Sequence, residues 1–165
     1  MKKILFSFAL FLAIVTTHAQ SAPDFSKYPL NNEKNTRAAD ATALQAANFL
    51  LKTPINFKEA DRKSSIAFLI KWMEASPDYT FSLDNSMIIL DDDDVNYSAL
   101  YIAAMAKYQI ENKVYESTDD SKVQTWKIIA EYVANPNNNI KVKGKIKKLV
   151  EANEKNKLEE FLNKV

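Results

Sequence analysis

Four consecutive aspartates stand out as residues that could bind a hard cation. They are Asp91, Asp92, Asp93 and Asp94, and carboxylate oxygens are the ligands that Ca²⁺ prefers. The EF-hand pattern fails, because counting from Asp92 the sixth position is Tyr97 where glycine is needed and the twelfth is Ala103 where glutamate is needed. We therefore interpret the run mainly as negative charge at the start of the following helix, with a cation site as the alternative.

A second cluster consists of five lysines between residues 141 and 148. Its members are Lys141, Lys143, Lys145, Lys147 and Lys148. Such a run could dock an anionic partner, for example an acidic protein face, lipid phosphates or an anionic glycan. Two other interpretations stay open. The lysines could pair with the four aspartates of a second molecule, or they could keep an exposed edge strand from pairing with other chains.

Aromatic residues provide the third candidate. Tyr97, Tyr101 and Tyr108 share one predicted helix, and their hydroxyls could reach a concave surface of a helical array. Their spacing, like that of Trp72 and Trp126, is more typical of residues that fill a core. We therefore expect core or half-core positions, and keep these three tyrosines as candidate binding residues in the alternative that a groove forms.

The residue types that are scarce exclude several kinds of chemistry. The chain has no cysteine, and its one histidine, His18, lies in a predicted export signal. The remainder therefore cannot form a Ser-His-Asp or Cys-His mechanism, nor a zinc site ligated by His or Cys. With Gly144 as its one glycine, it cannot form a glycine-rich phosphate loop. Paired carboxylates of the glycosidase type and a Ser–Lys pair survive, but we expect no catalytic residues and no cofactor.

The first 19 residues have the order of a secretory signal peptide. Lys2 and Lys3 precede an apolar run over residues 4–15, and small residues around Ala19 predict cleavage before Gln20. The apolar run is shorter than the roughly 20 residues that a membrane-spanning helix needs. We expect a product of about 146 residues in the periplasm or outside the cell, long enough for one domain.

The net charge of the chain does not point to a particular class of partner. The formal net charge is +1, and without the two signal-peptide lysines it becomes slightly negative. This balance predicts neither a nucleic-acid interface nor a general attraction to membranes. The oligomeric state stays open.

Helical spacing of apolar residues begins near residue 40 and continues to the end of the chain. Asp40, Asn56 and Asp94 are predicted helix caps. The expected helices cover residues 41–52, 57–75, 95–112, 118–134, 145–150 and 153–165. Residues 79–83 and 139–143 alternate like short strands and could pair as a ribbon. Residues 20–39 contain two prolines and no periodicity, so we expect an extended arm before a single domain over residues 40–165.

The chain also resembles itself at an offset of 59 residues. Identical pairs are Ala47 and Ala106, Asp61 and Asp120, Lys63 and Lys122, Ile70 and Ile129, Ala75 and Ala134, and Pro77 and Pro136. A duplication of a helical hairpin would give this pattern, and so would coincidence between two amphipathic helix pairs. The predicted fold is all-α, built from antiparallel helical hairpins with at most a short two-stranded ribbon.

Three runs make the chain similar to a group of small exported helical proteins of Bacteroidota-type bacteria. They are WMEASPDYTF at 72–81, YIAAMAKYQIE at 101–111 and LEEF at 158–161. The resemblance implies no catalytic residues. We expect an exported, non-catalytic module that binds a protein or another anionic envelope component, with no nucleic acid and no membrane span. The alternatives are a small carboxylate-dependent glycan hydrolase and a secreted inhibitor with an exposed loop such as residues 79–84.

Overall fold

The computed structural model describes residues 22–55, 59–83, 87, 95 and 97–164. Over these ranges the chain is all-α, as predicted. The α-helices are α1 (Glu33–Ala38), α2 (Asp40–Lys52), α3 (Glu59–Ala75), α4 (Tyr97–Asn112), α5 (Asp119–Ala134), α6 (Gly144–Glu154) and α7 (Leu158–Leu162). Short 3₁₀ turns cover Phe25–Lys27 and Pro136–Asn138. In the described part of the chain, no helix is long and apolar enough to cross a membrane.

Helix α4 contributes to two hydrophobic cores. Its Ala103 and Ala106 are fully buried in the first core, which α2 and α3 complete. Its Leu100 and Met105 are buried in the second core, which α5, α6 and α7 complete. Helices α2 and α4 contact each other, and both contribute buried alanines to this core: Ala43, Ala46 and Ala47 from α2, and Ala103 and Ala106 from α4. The small residues therefore set how closely the two halves of the fold approach.

Side chains of two other helices hold the end of α2 in place through hydrogen bonds. Thr53 leaves the helix in an extended conformation with φ −114° and ψ 144°, as the following Pro54 predicts. Arg62 of α3 is 6% exposed, and its Nη1 donates to the carbonyl oxygens of Leu50 at 3.0 Å and Thr53 at 3.2 Å. The Tyr132 hydroxyl of α5 donates to the Thr53 oxygen at 2.7 Å. These donors satisfy carbonyls that a helix end otherwise leaves unpaired.

The start of α5 was predicted correctly. Thr118 and Ser121 form a capping box, in which Ser121 N–H donates to Thr118 Oγ1 at 3.1 Å and Thr118 N–H donates to Ser121 Oγ at 2.7 Å. Asp119 and Asp120 add negative charge at the positive end of the helix.

The predicted arm over residues 20–39 is not extended where it is described. Asn32 caps α1, because Asn35 N–H donates to its Oδ1 at 2.9 Å, and Phe25 stacks on Phe68 of α3 with ring centroids 4.6 Å apart. Ala39 is itself helical and joins α1 to α2. Asp40 is therefore the first residue of α2 and not its cap. The folded unit begins before residue 40, because this segment packs on α3.

The predicted ribbon is replaced by another pairing. Thr80 forms an isolated parallel bridge with Glu116, and its N–H donates to the Tyr115 oxygen at 2.7 Å. Residues 139–143 have no regular secondary structure, and Asn139 adopts a left-handed conformation with φ 54°. The alternation of lysines with apolar residues at 140–143 therefore reflects an exposed loop.

The C-terminal helices also differ from prediction. The expected helix over residues 153–165 begins only at Leu158, because Asn156, with φ 53°, interrupts the chain after α6. Helix α6 is longer than expected and reaches back to Gly144. As a result, the last residues fold back beside α6 and contact it.

The helix bounds agree with the offset of 59 residues. Shifted by that amount, α2 and α3 fall on 99–111 and 118–134, close to α4 and α5. The duplication itself stays a prediction, because equal helix lengths also arise independently.

Candidate functional site

The C-terminal segment, residues 141–164, carries the most concentrated charge of the described chain, and we call it the lysine surface. Its eight lysines are all exposed: Lys141, Lys143, Lys145, Lys147, Lys148, Lys155, Lys157 and Lys164. The same segment contains four glutamates, namely Glu151, Glu154, Glu159 and Glu160. The segment therefore has an excess of four positive charges, although the protein as a whole is nearly neutral.

A groove of about 240 Å³ lies between α6 and α7 within the lysine surface. One wall consists of Lys148, Glu151, Ala152 and Lys155, and the other of Lys157, Glu160, Phe161 and Lys164. Both sets have the spacing i, i+3, i+4, i+7. Lys155 directly follows α6, and Lys157 and Lys164 flank α7. Each wall thus has a lysine at both ends, with Ala152 and Phe161 as the apolar residues between them.

Ion pairs neutralise only part of this charge. Lys164 Nζ lies 2.6 Å from Glu160 Oε1, and Lys147 Nζ lies 3.8 Å from Glu151 Oε1. The Lys164 hydrogen bond lowers the pKa of the Glu160 carboxyl. Within the described ranges, no hydrogen bond or ion pair joins Lys148 to a carboxylate. The same holds for Lys141, Lys145 and Lys155.

The three candidate tyrosines do not form a shared concave surface. Tyr97 and Tyr101 are each 2% exposed and belong to the second core. Tyr108 is half-buried, and its hydroxyl donates to Asp120 Oδ2 at 3.1 Å. Burial and this hydrogen bond raise the pKa of the Tyr108 hydroxyl. The helical spacing that suggested a groove is thus mainly that of a core helix.

A larger cavity of about 420 Å³ opens at the start of α5. It is lined by Ser82, Tyr101, Met105, Ser117, Thr118, Asp119, Ser121, Lys122 and Thr125. Several of its hydroxyl protons are already donated to the backbone, from Ser121 to the Thr118 oxygen at 2.8 Å and from Thr125 to the Ser121 oxygen at 2.7 Å. Its polar lining therefore serves mainly the first turns of α5.

Two carboxyls near the start of α2 have pKa values shifted in opposite directions. Burial raises the pKa of Asp40, whose Oδ1 accepts a hydrogen bond from Trp72 Nε1 at 3.0 Å. Arg37 lowers the pKa of Asp78, to which it donates from Nε at 2.8 Å and from Nη2 at 3.0 Å. Such a split is common in acid–base pairs. Here both carboxyls already hold structural donors, and neither lines the groove or the α5 cavity.

The Asp40–Trp72 contact predicts two opposite mutational effects. Asp40→Ala leaves the buried indole N–H without its acceptor and should lower the free energy of unfolding by about 1–3 kcal/mol. Asp40→Asn keeps an acceptor oxygen and removes the buried charge. Because the folded state raises the pKa of Asp40 above its ordinary 3.8, the wild-type loses stability as pH rises through the raised pKa.

Denaturant unfolding of both variants at several pH values measures these effects. Asp40→Asn should match the wild-type in acid and exceed its stability at neutral pH. Equal pH profiles for wild-type and Asp40→Asn would show that burial of Asp40 carries no electrostatic cost.

The remaining predicted sites are placed as follows. Residues Asp91, Asp92, Asp93 and Asp94 lie outside the described residues. In the part that is described, no group of three or more metal-binding side chains comes together.

The loop considered for an inhibitor is anchored as far as residue 81, because Tyr79 and Phe81 pack on Trp72 with ring centroids 5.6 and 5.4 Å away. Of that loop, Ser82 and Leu83 are exposed.

The fold and the site together define an all-α protein with a basic C-terminal surface. Comparison with protein-family models, with curated proteins and with solved structures finds no match to this chain. The function must therefore be inferred from the residues themselves. Sequence reasoning found the lysines at 141–148 but missed Lys155, Lys157, Lys164 and Phe161, because they join the surface only when the chain turns back at Asn156.

Proposed function

We propose that this protein is an exported, non-catalytic helical module that binds an anionic partner, a protein or another envelope component, through the lysine surface. The observation that supports this is the clustering of eight exposed lysines on α6 and in the segments that flank α6 and α7, around a groove with apolar residues. Like charges one helical turn apart, such as Lys145 and Lys148, destabilise a helix slightly. An anionic partner would turn this repulsion into attraction.

The charge distribution along the chain supports the same proposal. Residues 20–140 contain 12 basic and 17 acidic side chains, so the basic surface belongs to a chain that is otherwise acidic. Such asymmetry is typical of proteins that use one end for electrostatic association. It also orients an approaching anion toward the lysine surface, since the rest of the protein repels it.

Binding to two defined polyanions, poly-L-glutamate and dextran sulfate, tests the proposal with residues 20–165. The variant K141E/K145E/K148E/K155E reverses four charges on the surface. The matched control K34E/K52E/K71E/K127E reverses four exposed lysines that are dispersed over the rest of the protein. We expect the surface variant to lose at least about tenfold in affinity, the control to lose far less, and salt to weaken wild-type binding.

Equal losses in both variants would mean that only net charge matters, and the proposed site would be wrong. Failure of the wild-type protein to bind any anionic probe would contradict the proposal as a whole.

The carboxylate-dependent hydrolase is the second candidate, and the carboxyls to test are Asp40 and Asp78, whose pKa values shift in opposite directions although both already accept structural hydrogen bonds. It predicts cleavage of a glycan panel by the purified protein. That activity should disappear in Asp40→Asn although this variant remains folded. A folded Asp40→Asn protein with unchanged cleavage, or a wild-type without any, removes this candidate.

A further inference from the structure

We infer that the lysine surface attaches this protein to a bilayer rich in anionic phospholipids. The inference rests on the proposed function, because it names the anionic partner of the same surface. It is carried by the arrangement of the lysines, by the apolar side chains among them and by the absence of arginine from this segment.

Two lysines of α6 and Lys155, the residue that follows it, lie on one side of the helix. Lys145, Lys148 and Lys155 are spaced i, i+3 and i+10, which places them on one stripe, and Ile146 and Leu149 are buried on another. At 1.5 Å per residue the stripe is about 15 Å long. Lys157 and Lys164 line the opposite wall of the groove. The charges therefore do not converge on one point. They are spread over an area, as contact with a layer of phosphates requires.

Apolar side chains lie among these lysines. Phe161 lines the groove between the lysines of both walls. Val142, in the loop before α6, is 36% exposed between Lys141 and Lys143. At a bilayer surface, lysine stems extend along apolar material while their ammonium groups stay at the phosphates. Aromatic and aliphatic side chains among them can enter the boundary with the acyl chains.

The choice of cation favours a diffuse layer of negative charge over a partner that docks in one fixed geometry. Arginine forms planar, bidentate contacts with carboxylates and phosphates, whereas lysine is a point charge without a preferred orientation. The chain has two arginines, and Arg37 makes such a bidentate contact with Asp78. The lysine surface contains none. In addition, an acidic peptide lying in the groove would meet Glu151 and Glu160, whereas the phosphates of a bilayer would meet the lysines at its rim.

Cosedimentation with vesicles tests the inference. The probes are phosphatidylcholine vesicles with and without phosphatidylglycerol, and the protein is residues 20–165. We expect salt-sensitive binding to the anionic vesicles alone. Each juxtamembrane lysine contributes about fivefold in affinity, so K145Q/K148Q/K155Q should weaken binding about 100-fold. The control K34Q/K52Q/K71Q, with dispersed exposed lysines, should change affinity by less than about threefold.

A second pair of variants tests apolar insertion. Val142→Ser should weaken vesicle binding about fivefold, because the side chain no longer gains from leaving water. Leu83→Ser removes an apolar side chain that is 62% exposed elsewhere, and it should leave vesicle binding unchanged. Equal effects of the two substitutions would show that Val142 does not insert.

The outcomes separate this inference from the proposed function. Lysine-dependent binding to poly-L-glutamate or dextran sulfate without binding to anionic vesicles overturns the lipid inference and leaves the proposed function standing. Equal loss in the surface and control lysine variants, or equal binding to uncharged vesicles, also overturns it. Failure to bind any of the anionic probes overturns both.

Discussion

Replacing Arg62 with alanine should lower the free energy of unfolding by about 1.5–3 kcal/mol, because the charged donor of several buried hydrogen bonds is lost while its acceptors stay buried. The guanidinium is 6% exposed, and burial lowers its pKa. Four oxygens at the end of α2 accept from its Nη1: those of Leu50, Thr53 (main chain and side chain) and Pro54. Without this donor the Leu50 and Pro54 oxygens lose a partner in a site that water scarcely reaches, and the Thr53 carbonyl keeps only the Tyr132 hydroxyl.

Equilibrium unfolding in urea, followed by circular dichroism, measures this loss. Arg37→Ala provides the matched control, because the other arginine of the chain is 48% exposed and makes a surface ion pair with Asp78. Its removal should lower the free energy of unfolding much less, because water screens an exposed ion pair. Arg62→Lys should recover part of the loss, since all four contacts converge on one nitrogen that an ammonium group can replace. Equal effects of the two alanine substitutions would contradict a special role for Arg62.

Replacing Trp72 with alanine should cost about 3–5 kcal/mol, the usual range for a buried tryptophan. The side chain is completely buried, and its ring packs against Tyr79 and Phe81. Its indole nitrogen donates to Asp40, so the substitution leaves a partly buried carboxyl without this donor as well. The lost packing and the lost hydrogen bond therefore act in the same direction.

Two further variants separate these contributions. Trp72→Phe keeps an aromatic ring and removes the indole N–H, so it should fall between wild-type and Trp72→Ala. Ile70→Ala changes a 39% exposed residue of the same helix and should cost about 1 kcal/mol or less. Both Trp72 variants leave Trp126 as the one remaining tryptophan, and its fluorescence then reports unfolding of the second core. A loss in Trp72→Ala no larger than in Ile70→Ala would contradict the argument.

Signals carried by neighbouring residues predicted much of the fold. Pro54 ended α2, Thr118 began α5, and apolar spacing placed α3 and α4 close to their observed ranges. The errors arose where distant residues decide the outcome. Asp40 was a sound cap by its type, but α1 continues into α2, and Trp72, 32 residues away, holds its carboxyl. Thr80 likewise pairs with Glu116 and not with the alternating residues near 140.

The candidate site was predicted only in part for the same reason. The lysines at 141–148 are visible as a run of one residue type, and all of them are exposed. The groove depends on the turn at Asn156, whose left-handed conformation no periodicity reveals. For Tyr97 and Tyr101 the sequence suggested candidate binding residues that are in fact buried in the core. Spacing alone does not distinguish a stripe of core residues from a stripe of binding residues.

The position of α4 determines whether this protein can be divided into separately folded parts. One of its stripes completes the core with α2 and α3, and another completes the core with α5, α6 and α7. A chain cut between α3 and α4 would give an amino-terminal fragment with an uncovered apolar face, and the carboxy-terminal fragment would expose the alanine stripe. The lysine surface is therefore not a detachable module, since the helix that supports its scaffold is also the helix that the amino-terminal half needs.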